Sequence, residues 1–381
     1  MSKVSSTMIA FVVIGLLVGV AIGWVAKPIP PPGPEYVLKT DYDKLKSDNN
    51  ATLAQLSKLK KSAKIGLVMA TGGLGDKSFN DIAYAGVLKA KQELGIEFSY
   101  VEPKAIAEYE GFQRDFAKTG EYALIITIGF DQADALAKVA DEYPNQKFAI
   151  VDMVVSKPNV ASLLFKANEG SFLVGVISGM MTKTGKVGFL GGMDIPLIKD
   201  FYLGFEAGVK WVNSSVRVLT PVYVGEWANP TKGKEQTVSL IELGADEIYV
   251  AAGKSGLGAL AAANEKNITA YGVDACQDYV NPAVLASMTK RVDRAVFEMI
   301  ALATLDKVYS IQPPLFKGVI IEKGLKEGWT GCCRLPTEEA FWEATFNFKH
   351  KALPASVVAK LTEARDKVVN GTIVVPRPPG F

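Results

Sequence analysis

From residue 64 onward the chain repeats one pattern, a short apolar run followed by a longer amphipathic stretch, and that alternation narrows the fold to very few classes. KIGLVMA (64–70), ALIITIG (123–129), FAIVDM (148–153), GKVGFLGG (185–192), RVLTPVYVG (217–225), EIYVAAG (247–253) and TAYGVDA (269–275) each read as a buried strand. Stretches such as 80–94, DQADALAKVADEYP and LGALAAANEK have helical spacing. Strands of four to eight apolar residues alternating with helices of ten to fifteen predict parallel sheets covered on both faces, an α/β fold. There are too many strands for one compact sheet, and a break near 167–176 suggests two lobes. With 381 residues, of which 49% are hydrophobic and 22% charged, the chain has enough apolar material for two cores.

The first 62 residues differ. Residues 4–26 hold no charged side chain and include Trp24. That run can cross a hydrocarbon core as a helix, and its length favours an uncleaved transmembrane anchor over a cleaved signal peptide. No cysteine precedes Cys276, so no lipid anchor is expected near this run. Five prolines in 28–34 predict a stiff spacer, and 40–61 reads as a stalk, helical or plain linker. The expected organisation is 1–27 anchor or signal, 28–62 linker and stalk, 63–168 plus 292–330 first lobe, and 169–291 plus 331–381 second lobe. The binding domain is expected outside the cytoplasm, at the cell membrane.

The charge balance, 42 Lys+Arg against 40 Asp+Glu, supplies no field for nucleic acid. A single histidine, His350, and three cysteines leave little stock for a metal site or a catalytic triad. His350 lies far in sequence from the strand ends and is expected at the surface. No catalytic residue, metal ligand or cofactor is expected. Outside the cell Cys276 can pair with Cys332 or Cys333, or all three can stay unpaired.

Ligands of open α/β sheets sit beyond the carboxyl ends of the strands. Three loops there imitate phosphate loops, at 73–78, 185–187 and 253–255, but each misses the required spacing. The loops offer instead Phe79 and Phe201, one aromatic from each half, the acceptors Asp131 and Asp274, the donor Lys290, and Asn80, which can do both. Two rings can stack on a flat base while carboxylates accept from ribose hydroxyls. The competing expectation is core packing for each phenylalanine, and helix capping for Asp131 and Asp200.

Six segments in order resemble the basic membrane protein family of PnrA-like solute-binding components of ABC transporters. They are GDKSFN (75–80), NEGSFLVG (168–175), VGFLGGMDIPLIKDFYLGFEAG (187–208), GADEIYVAAGKSGLG, YGVDACQD and MTKRVDRAV. The resemblance, covering about 64–330, implies a type I periplasmic-binding-protein fold, with two Rossmann-like lobes joined by a multi-strand hinge. It implies a nucleoside ligand, typically purine, and an ABC permease as partner. By the same resemblance Phe79 and Phe201 clasp the base, which Asp131 contacts. Asp274 and Lys290 hold the sugar, Gly253 lets backbone approach it, and Trp227 is a weaker candidate. The chain departs from the family pattern before the GDKSFN loop, where 70–75 lacks an acidic residue, and at Cys276, which replaces an aspartate. A membrane-tethered sensor and, less favoured, a nucleoside-processing enzyme are the alternatives.

Overall fold

A computed structural model describes residues 63–309 and 318–379. In chain order the elements are β1 (Lys64–Val68), α1 (Phe79–Leu94), β2 (Glu97–Val101), α2 (Tyr109–Ala117), β3 (Tyr122–Ile128), α3 (Ala133–Glu142), β4 (Phe148–Val151) and β5 (Val160–Phe165). Then come α4 (Ala167–Met181), β6 (Lys186–Gly191), α5 (Pro196–Val212), β7 (Arg217–Val218), β8 (Val222–Tyr223), α6 (Pro230–Glu242), β9 (Glu247–Ala251) and α7 (Gly256–Glu265). The last are β10 (Thr269–Gly272), β11 (Val284–Lys290), α8 (Val292–Tyr309), β12 (Ile320–Lys323), β13 (Thr330–Cys332), α9 (Glu339–Phe346) and α10 (Ala355–Val369).

The strands form two sheets. The first runs β12-β5-β4-β3-β1-β2, and every neighbouring pair is parallel. The second runs β13-β11-β10-β9-β6-β7, with β8 also on β6. It is parallel except for β13, which is antiparallel to β11. The chain passes between the sheets three times, from β5 to α4, from β11 to α8, and from β12 to β13. Helix α8 packs on α1, in the first lobe, and α10 packs on α4, in the second.

Local chemistry explains most elements. Strands β3, β4 and β9 are buried along their length, as strands covered on both faces must be. The run 217–225 is broken into β7 and β8, both pairing with β6, because Pro221 has no N–H to give the ladder. Strands β2, β5, β11, β12 and β13 are not among the seven expected. β2 escapes because none of its residues is fully buried, and an edge strand lacks a strong apolar signature. In the second lobe α4 and α5 touch backbone to backbone. A Cβ added at Gly208 would lie 2.0 Å from the Phe172 carbonyl oxygen, and one at Gly204 would lie 2.2 Å from that of Asn168. That close approach buries Phe172 and Phe205 against Phe189 and Tyr249.

Two expectations change here. His350 is not at the surface: its side chain is only 3% exposed, because the segment after α9 folds back over the second sheet. Cys276, Cys332 and Cys333 are all free and buried, with no disulfide among them. The proposed anchor and stalk lie outside the described residues. Among the described residues no helix is long and apolar enough to cross a membrane.

Candidate functional site

The strand ends of both sheets face one cavity, with about 660 Å³ of empty space including its mouth. Every residue singled out from the sequence lines it: Phe79, Asn80, Asp131, Phe201, Trp227, Gly253, Asp274 and Lys290. Their positions have distinct causes.

In the first lobe the loop after β1 is shaped by Asp76. Its buried carboxylate accepts from the backbone N–H groups of Ser78 (2.9 Å), Asn80 (2.8 Å) and Asp81 (3.1 Å), which are orphan donors at the start of α1. This fixes Phe79 as the first residue of α1, with its ring on the cavity. Asn80 proves to be mostly committed to the loop. Its Oδ1 accepts from the Ala70 N–H at 3.0 Å, and its Nδ2 donates to Asp76 at 3.1 Å. Asp131 follows β3 and caps no helix; its Oδ2 accepts from the Tyr109 hydroxyl at 3.1 Å. That hydroxyl in turn accepts from the Thr71 N–H at 3.0 Å. Burial pushes the Asp131 carboxyl above the ordinary carboxylate range. Beside it, Gln132 ties β1 to β3 by donating to the Val68 and Ile128 carbonyls at 3.0 and 2.9 Å.

In the second lobe, Pro196 opens α5 at its first turn, where its missing N–H is no loss. Phe201 lies one turn later, 3% exposed. Asp200 does not cap its own helix: it is buried, paired with Arg377 at 2.9 Å, and accepts from the Asn168 backbone N–H in the first turn of α4 at 3.2 Å. Trp227 lies over Gly192, where a Cβ would come within 2.2 Å of the indole. Only glycine lets that ring settle there. Gly253 has φ +54, the left-handed region that glycine adopts without strain. Asp274 reaches φ +66 without being glycine. Burial pushes its carboxyl up to about 6, against the opposing pull of Lys290 and the Ser78 hydroxyl.

Lys290, at the end of β11, is a fully buried charge in the site. Its ammonium lies 2.5 Å from Asp152 of the first lobe, and the two side chains are 2% and 4% exposed. It also lies over the rings of Phe79, Phe165 and Phe201, at 5.0, 5.1 and 5.5 Å from their centroids. Asp152 was not anticipated, because 148–153 reads as a plain strand and the residue after its apolar run drew no attention. Phe130 and Lys254 also line the cavity without having been anticipated.

The lobes meet through polar contacts around this cavity. The Ser78 hydroxyl donates to Asp274 at 2.5 Å, Gln277 Nε2 to the Lys77 carbonyl at 3.0 Å, and Lys254 Nζ to the Leu74 carbonyl at 3.3 Å. Phe130 and Trp227 meet edge to face with centroids 6.4 Å apart. The arrangement is that of a clamp shut over an enclosed, mainly apolar chamber.

The sequence pattern described as ABC transporter substrate-binding protein, PnrA-like, matches residues 63–376. The chain belongs to this family, Bmp. An uncharacterized lipoprotein of Pyrococcus horikoshii is 34% identical over 327 residues, covering 81% of this chain and 78% of that protein. Basic membrane protein A of Borreliella burgdorferi is 32% identical over 324 residues, covering 82% and 87%. Among solved structures, an ABC transporter solute-binding protein from Aeropyrum pernix K1 superposes with a TM-score of 0.69 at 30% identity, covering 83% of this chain and 94% of that one. A solute-binding protein from Conexibacter woesei, at 19% identity and TM-score 0.63, shares the fold, with 83% and 99% covered. The two lobes of this Bmp protein are therefore those of a periplasmic-binding-protein fold, and the family is one of solute-binding proteins.

Proposed function

We propose that this Bmp protein binds a nucleoside, a purine nucleoside by preference, in the chamber between its lobes and hands it to an ABC permease. The observation that carries the reading is the pairing of rings and carboxylates across the cleft. Phe79 and Asp131 come from one lobe, and Phe201 and Asp274 from the other. A flat base between Phe79 and Phe201 engages both lobes at once, so ligand favours the closed state by its differential contacts. Asp131 and Asp274 are placed to accept from base N–H and ribose hydroxyls.

The charges argue for a neutral ligand. Asp76, Asp131, Asp152 and Asp274 line the chamber against only Lys254 and Lys290. Asp152 already faces the Lys290 ammonium. A phosphate would meet uncompensated carboxylates there. Family membership and the relatives named lipoprotein and membrane protein support an extracytoplasmic position at the membrane, with the 4–26 segment as its tether.

Thermal unfolding of the full-length chain with guanosine, inosine, adenosine, their monophosphates and ribose tests the reading. Ligand that binds only the folded state raises the midpoint by mass action. A nucleoside should raise it by several degrees, and ribose alone should not. Phe201→Ala should weaken the nucleoside at least tenfold. An affinity within twofold of wild type would show that no clasp exists.

A further inference from the structure

Away from the chamber, on the far side of the loop that carries Asp274, four side chains with metal-binding chemistry converge. They are Cys276, Asp278, Cys333 and His350, and one donor atom from each lies within 4.8 Å of the others. Three separate parts of the chain supply them: the loop after β10, the residue after β13, and the segment between α9 and α10. Two of the three cysteines and the sole histidine thus meet at one point. We propose that this cluster is a structural site for a divalent transition metal, with zinc as the ion its donors suit.

The donor set carries the choice of ion. Two thiolates, one imidazole and one carboxylate make a four-coordinate, soft-to-borderline set that suits Zn²⁺ and disfavours Mg²⁺ or Ca²⁺. Tetrahedral zinc, with Zn–S about 2.3 Å and Zn–N about 2.0–2.1 Å, needs donors roughly 3.3–3.8 Å apart. Several spacings are already of that size or shorter. Cys276 Sγ lies 3.2 Å and Cys333 Sγ 3.7 Å from the same oxygen of Asp278, whose other oxygen is 2.7 Å from His350 Nδ1. The carboxylate is the hub on which the two thiols and the imidazole close, so an ion at the centre widens the shortest of these contacts slightly and draws in the wider pairs, none of them beyond 4.8 Å.

The surroundings are those of a built site. The His350 and Asp278 side chains are 3% and 6% exposed, and both cysteines are buried. The Ser287 N–H donates to Cys333 Sγ at 3.2 Å, an outer contact that stabilises a thiolate. Glu343 accepts from the His350 N–H at 3.1 Å, which fixes the segment bearing the ring. Phe348 meets the imidazole edge to face at 4.7 Å. Tyr279, next to Asp278 in the chain, stacks on Phe346 at 4.2 Å. On binding, each cysteine gives up its thiol proton to solvent and keeps the sulfur electron pair for the metal. The product is a cross-link between the chamber loop, the end of β13 and the chain leading into α10.

The test uses full-length protein prepared with reductant and stripped with EDTA, then titrated with Co²⁺. The proposal expects one Co²⁺ per chain, a thiolate-to-cobalt charge-transfer band in the near ultraviolet, strong visible bands of four-coordinate cobalt, and displacement of all of them by one equivalent of Zn²⁺. Zn²⁺ should also raise the unfolding midpoint of the stripped protein. Cys333→Ser and His350→Gln should each weaken binding at least tenfold and abolish or shift the bands. Cys332→Ser, whose sulfur lies outside the cluster, should keep them. Absence of visible bands in the wild type, bands unchanged in both Cys333→Ser and His350→Gln, or a Cys276–Cys333 disulfide in the freshly isolated protein would each overturn the proposal. The wild-type spectrum decides even if a variant fails to fold.

Discussion

Replacing Lys290 by methionine probes the buried cation of the site. The change keeps the length of the side chain and removes its charge. Asp152, 4% exposed in its side chain, then lacks the ammonium 2.5 Å away. Removing one partner of a buried pair costs about 3–5 kcal/mol, because the remaining charge has lost its water and gained nothing. Burial already holds the Asp152 carboxyl above its ordinary range, with Lys290 pulling it back. Without Lys290 it rises further, so the folded variant holds a proton that the unfolded chain releases near pH 4. A carboxyl raised in the folded state gives stability that is full below its unfolded pKa and is lost as pH rises through its folded one. The Lys290→Met penalty should therefore be larger at pH 8 than at pH 5. Urea unfolding of full-length protein at both pH values, at constant m, reads the difference. Lys290→Met/Asp152→Asn should regain at least half of the loss at pH 8, since a neutral amide needs no counter-charge. The double variant also separates the two roles of Lys290: regained stability with weakened ligand binding would mean that the ammonium serves both. A penalty below about 1 kcal/mol, or a double variant no better than the single, would refute the reasoning.

Two further expectations follow from close contacts and burial. Gly192→Ala places a methyl where the Trp227 ring lies, 2.2 Å from its nearest carbon, so the indole must leave the chamber wall. Ligand affinity measured by calorimetry should fall about tenfold or more, while the unfolding midpoint of the ligand-free protein changes little. Glu247, the buried first residue of β9, accepts from the Tyr271 hydroxyl and has its carboxyl pushed up to about 8. The stability it gives is present below about pH 4.5 and is lost as pH rises through 8. Glu247→Gln should remove that part of the pH slope, leaving the variant on the order of 2–4 kcal/mol more stable than wild type at pH 9 by denaturant unfolding.

The parallel sheets were legible because strands covered on both faces are apolar along their length, as in β3, β4 and β9. Edge strands were not. β2 buries none of its residues fully, and β7 and β8 are two residues each, divided by Pro221. The site residues could be named because they sit just past strand ends or inside loops with a recognisable order of residues. Asp152 has the same strand-end position but no surrounding motif. Asn80 was named for its chemistry, yet that chemistry mostly serves Ala70 and Asp76 within its own loop. The cluster at His350 was invisible for a different reason. Its members lie up to 74 residues apart, at 276, 278, 333 and 350, and only the fold of the C-terminal segment brings them together. A scarcity of histidine and cysteine in the composition said nothing about where the few would meet.

Calorimetric titration of the full-length chain with guanosine, inosine and adenosine tests the central claim most directly. The account predicts one nucleoside per chain, a negative heat-capacity change from burial of the base between Phe79 and Phe201, and much weaker binding of the monophosphates and of ribose. Binding of a sugar or a nucleotide with no binding of any nucleoside would contradict it.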